Sequence, residues 1–251
     1  DSEKFFISNV LSFFAGSDGI IFENLSINFI DEVKIPEVRA YYGWQAAMET
    51  IHSETYALMI DTYISEESKY KIFNGIQELP GVKKKAEWTQ KWLNQDIPFQ
   101  KRLVAFTIVE GIFYSGSFCA IFWLKYVKKL MTKALGKSNE LIARDESLHT
   151  DFGVLLYSYI VNKLSPEEMK EMMKSAVEIE KEFICDSFQC NLIGINADSM
   201  KTYIEFQADR LIEKLGYEKI YHVECPFSFM DTMSLDGKSN FFEQRVTDYN
   251  R

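Results

Sequence analysis

The chain has 251 residues, with 28 Lys and Arg, 37 Asp and Glu, and a formal net charge of −9 at pH 7. A nucleic-acid surface needs clustered basic residues, so this balance argues against a nucleic-acid partner. Hydrophobic residues make up 47% and aromatic residues 15% of the sequence, including 20 Phe, which predicts a single domain over residues 1–251 whose large core encloses something that must stay dry.

Apolar residues recur at helical spacing along almost the whole chain, which predicts an all-α fold. The first helix is expected over about residues 3–29, and it carries Asp18. Pro36 suits the first turn of the second helix, which is expected to end near Tyr63.

Two shorter helices are expected next, over about residues 67–77 and 82–93, with Pro80-Gly81 as the stop between them. The basic run Lys83-Lys84-Lys85 is predicted to be a solvated loop. It is too short to change the conclusion drawn from the net charge.

A long apolar helix follows over about residues 104–124, and Glu110 is its one charged residue. The segment is long enough to span a bilayer, so a membrane helix and a core helix both fit its composition. A core helix is favoured, because the sequence shows no second span and Glu110 would lie deep in lipid. We therefore expect no membrane association.

Three further helices complete the predicted bundle. One covers about residues 139–164. The next begins at Ser165-Pro166-Glu167-Glu168, which has the serine and glutamate of a capping box, and ends near Phe188. The last covers about residues 198–215 and ends at Gly216.

Two copies of Glu-x-x-His, Glu49/His52 and Glu146/His149, use two of the three histidines in the chain. Residues three apart on a helix share a face, so each pair can offer a carboxylate and an imidazole to one metal ion. A single copy is as easily a surface hydrogen bond. Two copies favour a metal site, since four-helix bundles with two such pairs and two lone carboxylates hold paired iron or manganese ions.

The lone carboxylates should come from apolar segments, because a ligand must project into a dry core. Glu110 meets this condition, since a buried and unpaired carboxylate is very costly. Asp18 is also alone among apolar neighbours, although an aspartate beside glycine is often a turn or cap residue. The sequence thus predicts six metal ligands: Asp18, Glu49, His52, Glu110, Glu146 and His149.

Tyr56 follows Glu49 by seven residues and His52 by four, so it shares their helix face. A phenol at this place would lie beside the metals. The alternative is a hydrogen-bonded core tyrosine, one of 13 in the chain, and spacing alone does not decide between the two.

The cysteines have no Cys-x-x-Cys spacing, and we expect free thiols in a reducing compartment. They are Cys119, Cys185, Cys190 and Cys225. No targeting segment is visible, which favours the cytoplasm. The sequence begins at Asp1 rather than at Met, so we expect part of the amino terminus to precede it.

Five stretches of the sequence carry a specific pattern: Phe14-Ala-Gly-Ser-Asp-Gly19, Met48-Glu-Thr-Ile-His-Ser-Glu-Thr-Tyr56, Val109-Glu-Gly-Ile-Phe-Tyr-Ser-Gly-Ser-Phe118, Ser138-Asn-Glu-Leu-Ile-Ala-Arg-Asp-Glu-Ser-Leu-His149 and Asn240-Phe-Phe-Glu-Gln-Arg-Val-Thr-Asp-Tyr249. Together they resemble the radical-generating small subunit of class I ribonucleotide reductase, most closely its eukaryotic type, over nearly the whole chain. The resemblance implies a ferritin-like helical bundle with a dinuclear metal site in its core, and it includes Asp18 among the ligands.

The resemblance also implies an activity. Two iron ions, for which manganese can substitute, would react with dioxygen and leave a stable tyrosyl radical on Tyr56. The radical equivalent would then pass to a large catalytic subunit that reduces ribonucleoside diphosphates. The family forms a dimer through helices near the site, so we expect a homodimer.

Two residues match the family's radical relay. Asp145 matches the aspartate that hydrogen-bonds the imidazole at position 52 and begins the relay, and Tyr249 matches its carboxy-terminal tyrosine. A relay tryptophan upstream of Asp1 and a docking tail after Arg251 are expected to lie outside this sequence.

Three residues are expected, by resemblance, to line the pocket around the metals and the radical: Tyr114, Phe118 and Ile142. The family usually has phenylalanine at position 114. Tyr114 is either a second oxidisable phenol or a harmless substitution, and we favour the harmless substitution.

Other functions fit the same bundle. A ferritin-like ferroxidase or iron-storage protein shares both Glu-x-x-His pairs, but it needs no tyrosine at position 56 and no relay aspartate. A metal-free scaffold subunit should have lost ligands, whereas this sequence retains all six. A diiron oxygenase or desaturase would need a substrate tunnel to the metals.

Overall fold

The structure is a computed structural model that describes residues 11, 14, 29–65, 69, 80–130, 132–187 and 195–230. All the regular secondary-structure elements in these ranges are helices, which confirms the predicted all-α class. The α-helices of these ranges are α1 (Pro36–Tyr63), α2 (Pro80–Leu93), α3 (Phe99–Ile108), α4 (Ser115–Phe122), α5 (Ala134–Ser158), α6 (Pro166–Ser187) and α7 (Ala197–Lys214). A short 3₁₀ turn, Ser228–Met230, follows α7.

The long apolar segment lies at the centre of the bundle, but it is not one regular helix. Two π-helical turns, π1 (Val109–Phe113) and π2 (Trp123–Val127), interrupt it before and after α4. Within the described ranges, Phe99–Val127 is the one helix long and apolar enough to cross a membrane, and 94% of its most apolar window is buried inside the protein. This burial agrees with a core helix, and neighbours on several sides account for it: α2, α5, α6 and α7.

Helix α5 packs against α1 and against the central segment, and Gln45 of α1 hydrogen-bonds to Glu110 of that segment. Helix α1 has the predicted bounds, with Pro36 in its first turn. Helix α5 begins five residues before the predicted start and ends at Ser158 rather than near residue 164. It ends early because Leu164 is held elsewhere: its N–H donates to the Tyr157 hydroxyl at 2.9 Å, and its carbonyl accepts from the Tyr217 hydroxyl at 2.8 Å.

The predicted helix signals at α6 and α7 are confirmed. The Ser165 N–H donates to Glu168 Oε2 at 3.0 Å, and the Glu168 N–H donates to Ser165 Oγ at 3.2 Å, which forms the capping box. Helix α7 is followed by Gly216, whose φ of 90° is the left-handed conformation that commonly ends a helix.

The prediction for the basic run was wrong. Lys83-Lys84-Lys85 lies inside α2, and the side chain of Lys85 is only 3% exposed. The helical repeat explains this, because Gly81, Lys85 and Trp88 fall on the buried face of α2. Lys85 is neutralised there by Glu180 of α6 at 2.5 Å.

Parts of the prediction fall outside the described residues. These are most of the first helix, including Asp18, most of the predicted 67–77 helix, Cys190 and Tyr249. Among the described residues, Cys119 and Cys185 are free thiols, as predicted.

Candidate metal centre

Three elements bring ionisable side chains to one place in the core. Helix α1 contributes Glu49 and His52, π1 contributes Glu110, and α5 contributes Glu146 and His149. None of the five is more than 7% exposed. Both Glu-x-x-His pairs therefore face inwards, towards the central helix, which rules out the surface hydrogen-bond alternative.

The two imidazoles and two of the glutamates form a compact four-membered arrangement. His52 Nδ1 is 3.4 Å from Glu49 Oε2 and 3.1 Å from Glu146 Oε1. His149 Nδ1 is 3.0 Å from Glu49 Oε1 and 3.3 Å from Glu146 Oε2. Each glutamate thus lies between both histidines, so the two Glu-x-x-His pairs converge on a single site.

Glu110 joins this site from the central helix. Ligand-type atoms of Glu49, Glu110, Glu146 and His149 all lie within 4.8 Å of one another. Carboxylate and imidazole are ligands that iron and manganese both accept. The cluster therefore has the composition and spacing of a metal site. Asp18, the sixth predicted ligand, lies outside the described residues.

Unsatisfied polar atoms in the cluster fit a bound cation. Both carboxylate oxygens of Glu49 and the Nδ1 of His52 are buried and make no hydrogen bond within the described part of the chain, although charged neighbours lie close to them. Buried polar groups are normally paired, and leaving them unpaired is expensive. Cations ligated by these atoms would satisfy them and would balance the carboxylate charge.

The carboxylates of the cluster raise the pKa values of the two imidazoles that they surround. Burial alone would lower the pKa of His52, but its contacts with Asp145, Glu146 and Glu49 raise it to about 12. Burial likewise opposes protonation of His149, yet Glu146 and Glu49 raise its pKa to about 9. Burial acts to raise the pKa of Glu146, but the two imidazoles hold it well below its usual value. A metal ligand must be neutral imidazole, so metal binding would release these protons.

A carboxamide supports Glu110. The Nε2 of Gln45, one turn before Glu49, donates to Glu110 Oε1 at 3.0 Å. Gln45 is fully buried, and its Oε1 makes no hydrogen bond to the described residues. The side chain therefore fixes one oxygen of Glu110 and leaves an acceptor in the site.

Tyr56 lies on α1, one helical turn after His52, and is 1% exposed. Its hydroxyl donates to Asn139 Oδ1 at 2.9 Å, and Asn139 Nδ2 donates in turn to the Leu135 carbonyl at 2.9 Å. The Asn139 side chain is thus held at both ends and fixes the direction of the phenolic O–H.

An aromatic ring packs against Tyr56 and links it to two further rings. The Phe14 ring stacks on Tyr56 with centroids 4.4 Å apart and on Tyr114 with centroids 5.5 Å apart. Phe118 lies 5.1 Å from Phe14 between ring centroids. Ile142, the remaining predicted pocket residue, is 5% exposed on α5. Tyr56 and Tyr114 therefore stack on the same ring in a dry pocket.

Asp145 leads from the site towards the surface. Its Oδ2 lies 3.0 Å from His52 Nε2, and its side chain is 27% exposed. It also lines a cavity of about 860 Å³ together with Glu110, Glu146, Arg210 and Lys214. The contact with His52 is the one expected for the relay aspartate.

Sequence reasoning missed Gln45 and Asn139. The spacing places both residues on the helix faces of the predicted ligands, because Gln45 precedes Glu49 by one helical turn and Asn139 precedes Glu146 by two. Uncharged amides are common on helix faces, however, and nothing in the sequence separates a buried amide from an exposed one.

Comparison with known proteins identifies the family of this chain. A family model described as "Ribonucleotide reductase, small chain" matches residues 1–226. The small subunit of ribonucleoside-diphosphate reductase from Dictyostelium discoideum is 55% identical over 250 residues, which cover 99% of this chain and 73% of that protein. The corresponding small chain from Trypanosoma brucei brucei is 53% identical over 253 residues, covering 100% of this chain and 74% of that protein.

Solved structures show the same fold. The ribonucleotide reductase Rnr4 homodimer from Saccharomyces cerevisiae superposes with a TM-score of 0.85 at 35% identity, covering 100% of this chain and 77% of that one. The dimanganese(II)-NrdF of Streptococcus sanguinis superposes with a TM-score of 0.78 at 18% identity, covering 95% of this chain and 84% of that one. The second likeness supports the architecture alone.

Proposed function

The chain belongs to the small-chain family of ribonucleotide reductase and is the small subunit of that enzyme, and we propose that it holds a dinuclear iron centre that generates a stable radical on Tyr56. The observation that carries the proposal is the convergence of His52 and His149 on the same two buried glutamates, Glu49 and Glu146. Manganese remains an alternative metal for the same ligands.

The residues that would hold the two ions are Asp18, Glu49, His52, Glu110, Glu146 and His149. When bound, a dinuclear iron centre supplies the oxidising power that dioxygen makes available. The chain supplies geometry and dryness. Asp145 accepts a hydrogen bond from His52 Nε2, which leaves the lone pair of Nδ1 facing the glutamates.

The pocket around Tyr56 protects the radical. The Phe14 ring covers one face of the phenol, and Asn139 accepts the phenolic hydrogen bond. A carboxamide is not a base at neutral pH, so Asn139 orients the hydroxyl proton rather than removing it. Water and reductants are kept from the ring because Tyr56 and its neighbours are buried.

A small subunit acts on nucleotides through a large catalytic subunit. We propose that Asp145 receives the radical equivalent at the His52 contact and that Tyr249 passes it on to that partner. The partial exposure of Asp145 supports this role, because a relay must leave the buried site at some residue.

We further propose that the chain forms a homodimer through an apolar stripe on α1 and α5. The stripe consists of Trp44, Ile51, Leu58, Leu141, Leu148 and Leu155, which are each 40–62% exposed. Within each helix its residues recur every seven positions, the spacing of a helix–helix seam. The two helices are held together behind it, where the Tyr41 hydroxyl donates to the Leu148 carbonyl at 3.1 Å.

A second copy is the occupant that fits this stripe. Exposed apolar surface of this extent marks an interaction site, and an interface between identical chains buries the same patch on both. The solved relative from Saccharomyces cerevisiae is described as a homodimer.

Anaerobic loading with ferrous iron, followed by dioxygen, tests the proposed function. Two iron ions per chain and an oxygen-dependent radical signal are expected. Iron oxidation without a radical would identify a ferroxidase instead, and failure to bind iron or manganese would identify a scaffold subunit.

A further inference from the structure

Lys85 of α2 and Glu180 of α6 form an ion pair deep in the protein. The two side chains are 3% and 0% exposed, and Lys85 Nζ lies 2.5 Å from Glu180 Oε2. Burial lowers the pKa of Lys85 to about 8 and raises that of Glu180 to about 7, against the attraction between the two charges. A buried ion pair of this kind is often no more stabilising than apolar residues of similar volume. Stability alone therefore does not explain it.

Both ends of the pair reach the backbone where the central helix is interrupted. Lys85 Nζ donates to the carbonyl oxygen of Phe113, the last residue of π1, at 2.7 Å. Glu180 Oε1 accepts from the N–H of Gly116, in the first turn of α4, at 3.2 Å. A change from π to α spacing disrupts the helical ladder, and buried backbone groups at such a place need other partners. The pair supplies one donor and one acceptor on the two sides of the junction.

The backbone between these two contacts is not regular helix. Tyr114 has φ −101° and ψ −14°, which departs from the values of a regular α-helix. Gly116 allows the close approach, because a Cβ at this position would lie 2.6 Å from Ile184 Cγ1 and 2.8 Å from Glu180 Oε1. The junction and the pair therefore fit each other closely.

The interruption determines where Glu110 points. Glu110 is the second residue of π1, and its carboxylate is fixed beside the metal site. One residue of an α-helix corresponds to about 100° of rotation, so closing π1 into regular helix would rotate one side of the segment relative to the other. The carboxylate of Glu110 and the ring of Tyr114 could not both keep their present positions.

We propose that Lys85 and Glu180 are positioning residues that hold π1 in its open form and so keep the Glu110 carboxylate on the metal site. The inference rests on the proposed dinuclear centre. It assigns a role in metal binding to a pair whose hydrogen bonds in the described part of the chain run to the backbone of Phe113 and Gly116.

The chain provides a matched control. Lys84 and Glu182 form an ion pair between the same two helices, but both side chains are 50% exposed. If the buried pair served only to join α2 to α6, removing either pair would have the same kind of effect. If it positions π1, only the buried pair will affect the metal site.

The experiment compares Lys85→Met/Glu180→Met with Lys84→Met/Glu182→Met. Both charges are removed together, since a single buried charge left behind would destabilise the fold. Manganese(II) binding to the metal-free protein is followed by the paramagnetic resonance of the free ion, which gives two binding constants per chain. Hydrogen–deuterium exchange of the peptide covering residues 109–118 is measured in the metal-free protein.

The buried-pair variant is expected to remain helical by circular dichroism, to lose about tenfold or more in the weaker of its two manganese affinities, and to exchange faster at residues 109–118. The exposed-pair control is expected to match the parent in both measurements. A folded buried-pair variant with parental affinities and parental exchange would overturn the inference.

Two further outcomes are decided separately. If the double variant does not fold, the single variant Lys85→Met replaces it, because Glu180 can then become protonated and can keep its contact with Gly116. Weaker manganese binding is again expected. Unchanged binding in this variant would overturn the inference. If the parent itself binds fewer than two ions, the proposed function fails. The exchange comparison in the metal-free protein then still shows whether the pair holds π1.

Discussion

Asp145 Oδ2 accepts a hydrogen bond from His52 Nε2 across 3.0 Å and thereby links a buried imidazole to a partly exposed carboxylate. Imidazole ligands are oriented by the group bound to their second nitrogen. The proposed function therefore gives Asp145 two roles, to orient His52 for metal binding and to take part in radical transfer.

Two substitutions of Asp145 separate these roles. Asp145→Ala removes the acceptor, so metal affinity is expected to fall by about 10- to 100-fold. Asp145→Asn keeps an acceptor oxygen but loses the charge, so metal affinity should change far less while nucleotide reduction with the large subunit falls strongly. Metal titration and a turnover assay on both variants check this. Equal loss of affinity in the two variants would mean that charge, not orientation, holds His52.

The hydrogen bond from Tyr56 to Asn139 should be measurable as a coupling energy. Asn139→Ala leaves a buried hydroxyl without this acceptor and is expected to reduce the free energy of unfolding by about 1–3 kcal/mol. In a double-mutant cycle with Tyr56→Phe, the two substitutions should be coupled by about 1 kcal/mol. Urea unfolding of the four metal-free proteins gives the value. Strict additivity would show that the contact contributes nothing to stability.

The apolar stripe on α1 and α5 predicts how the dimer responds to charge. Ile51→Glu and Leu148→Glu each place a carboxylate on the stripe, and each is expected to raise the dimer dissociation constant about tenfold or more. Val161→Glu is the control, because Val161 is 92% exposed and lies outside the stripe. Sedimentation equilibrium distinguishes the cases. A dimer that survives both stripe substitutions must use another surface.

The Lys85–Glu180 pair predicts a pH-dependent difference in stability. Because burial raises the pKa of Glu180 to about 7, its contribution is most favourable below its unfolded pKa and is lost as pH rises to about 7. Because burial lowers the pKa of Lys85 to about 8, its contribution is most favourable at high pH and is lost as pH falls to about 8. Both penalties are therefore complete only between about pH 7 and 8.

The variant Lys85→Met/Glu180→Met has neither ionisable group and therefore lacks both of these costs to folding stability. Its free energy of unfolding relative to the parent should be highest near pH 7–8 and should decrease towards pH 5 and towards pH 10. Chemical unfolding of both metal-free proteins across this range tests the prediction. A difference that does not vary with pH would show that the two pKa values are unshifted in the folded protein.

Much of the fold follows from local sequence rules. Pro36, the Ser165/Glu168 capping box and Gly216 act through neighbouring backbone atoms, so their positions predicted helix ends correctly. The end of α5 was not predictable in this way, because Leu164 is held by Tyr157 and by Tyr217, which is distant in sequence. The π1 turn is similar, since the backbone at its junction with α4 is supported from α2 and α6.

In the candidate site too, contacts within one helix were predictable and contacts between helices were not. Face-sharing on one helix brought Glu49, His52 and Tyr56 together in the prediction. The amides Gln45 and Asn139 and the buried state of Lys85 depend on contacts between helices, and spacing carries no information about these. The placement of Asp18 and Tyr249, the single-domain organisation and the cytoplasmic location stay predictions.

Low-temperature electron paramagnetic resonance after loading with ferrous iron and dioxygen is the most direct test of the radical site. The parent protein, Tyr56→Phe and Tyr114→Phe are compared, because both phenols stack on Phe14. A tyrosyl signal that is lost in Tyr56→Phe and retained in Tyr114→Phe is expected. A signal that persists in Tyr56→Phe and disappears in Tyr114→Phe would contradict the assignment, as would two bound irons with no radical in the parent.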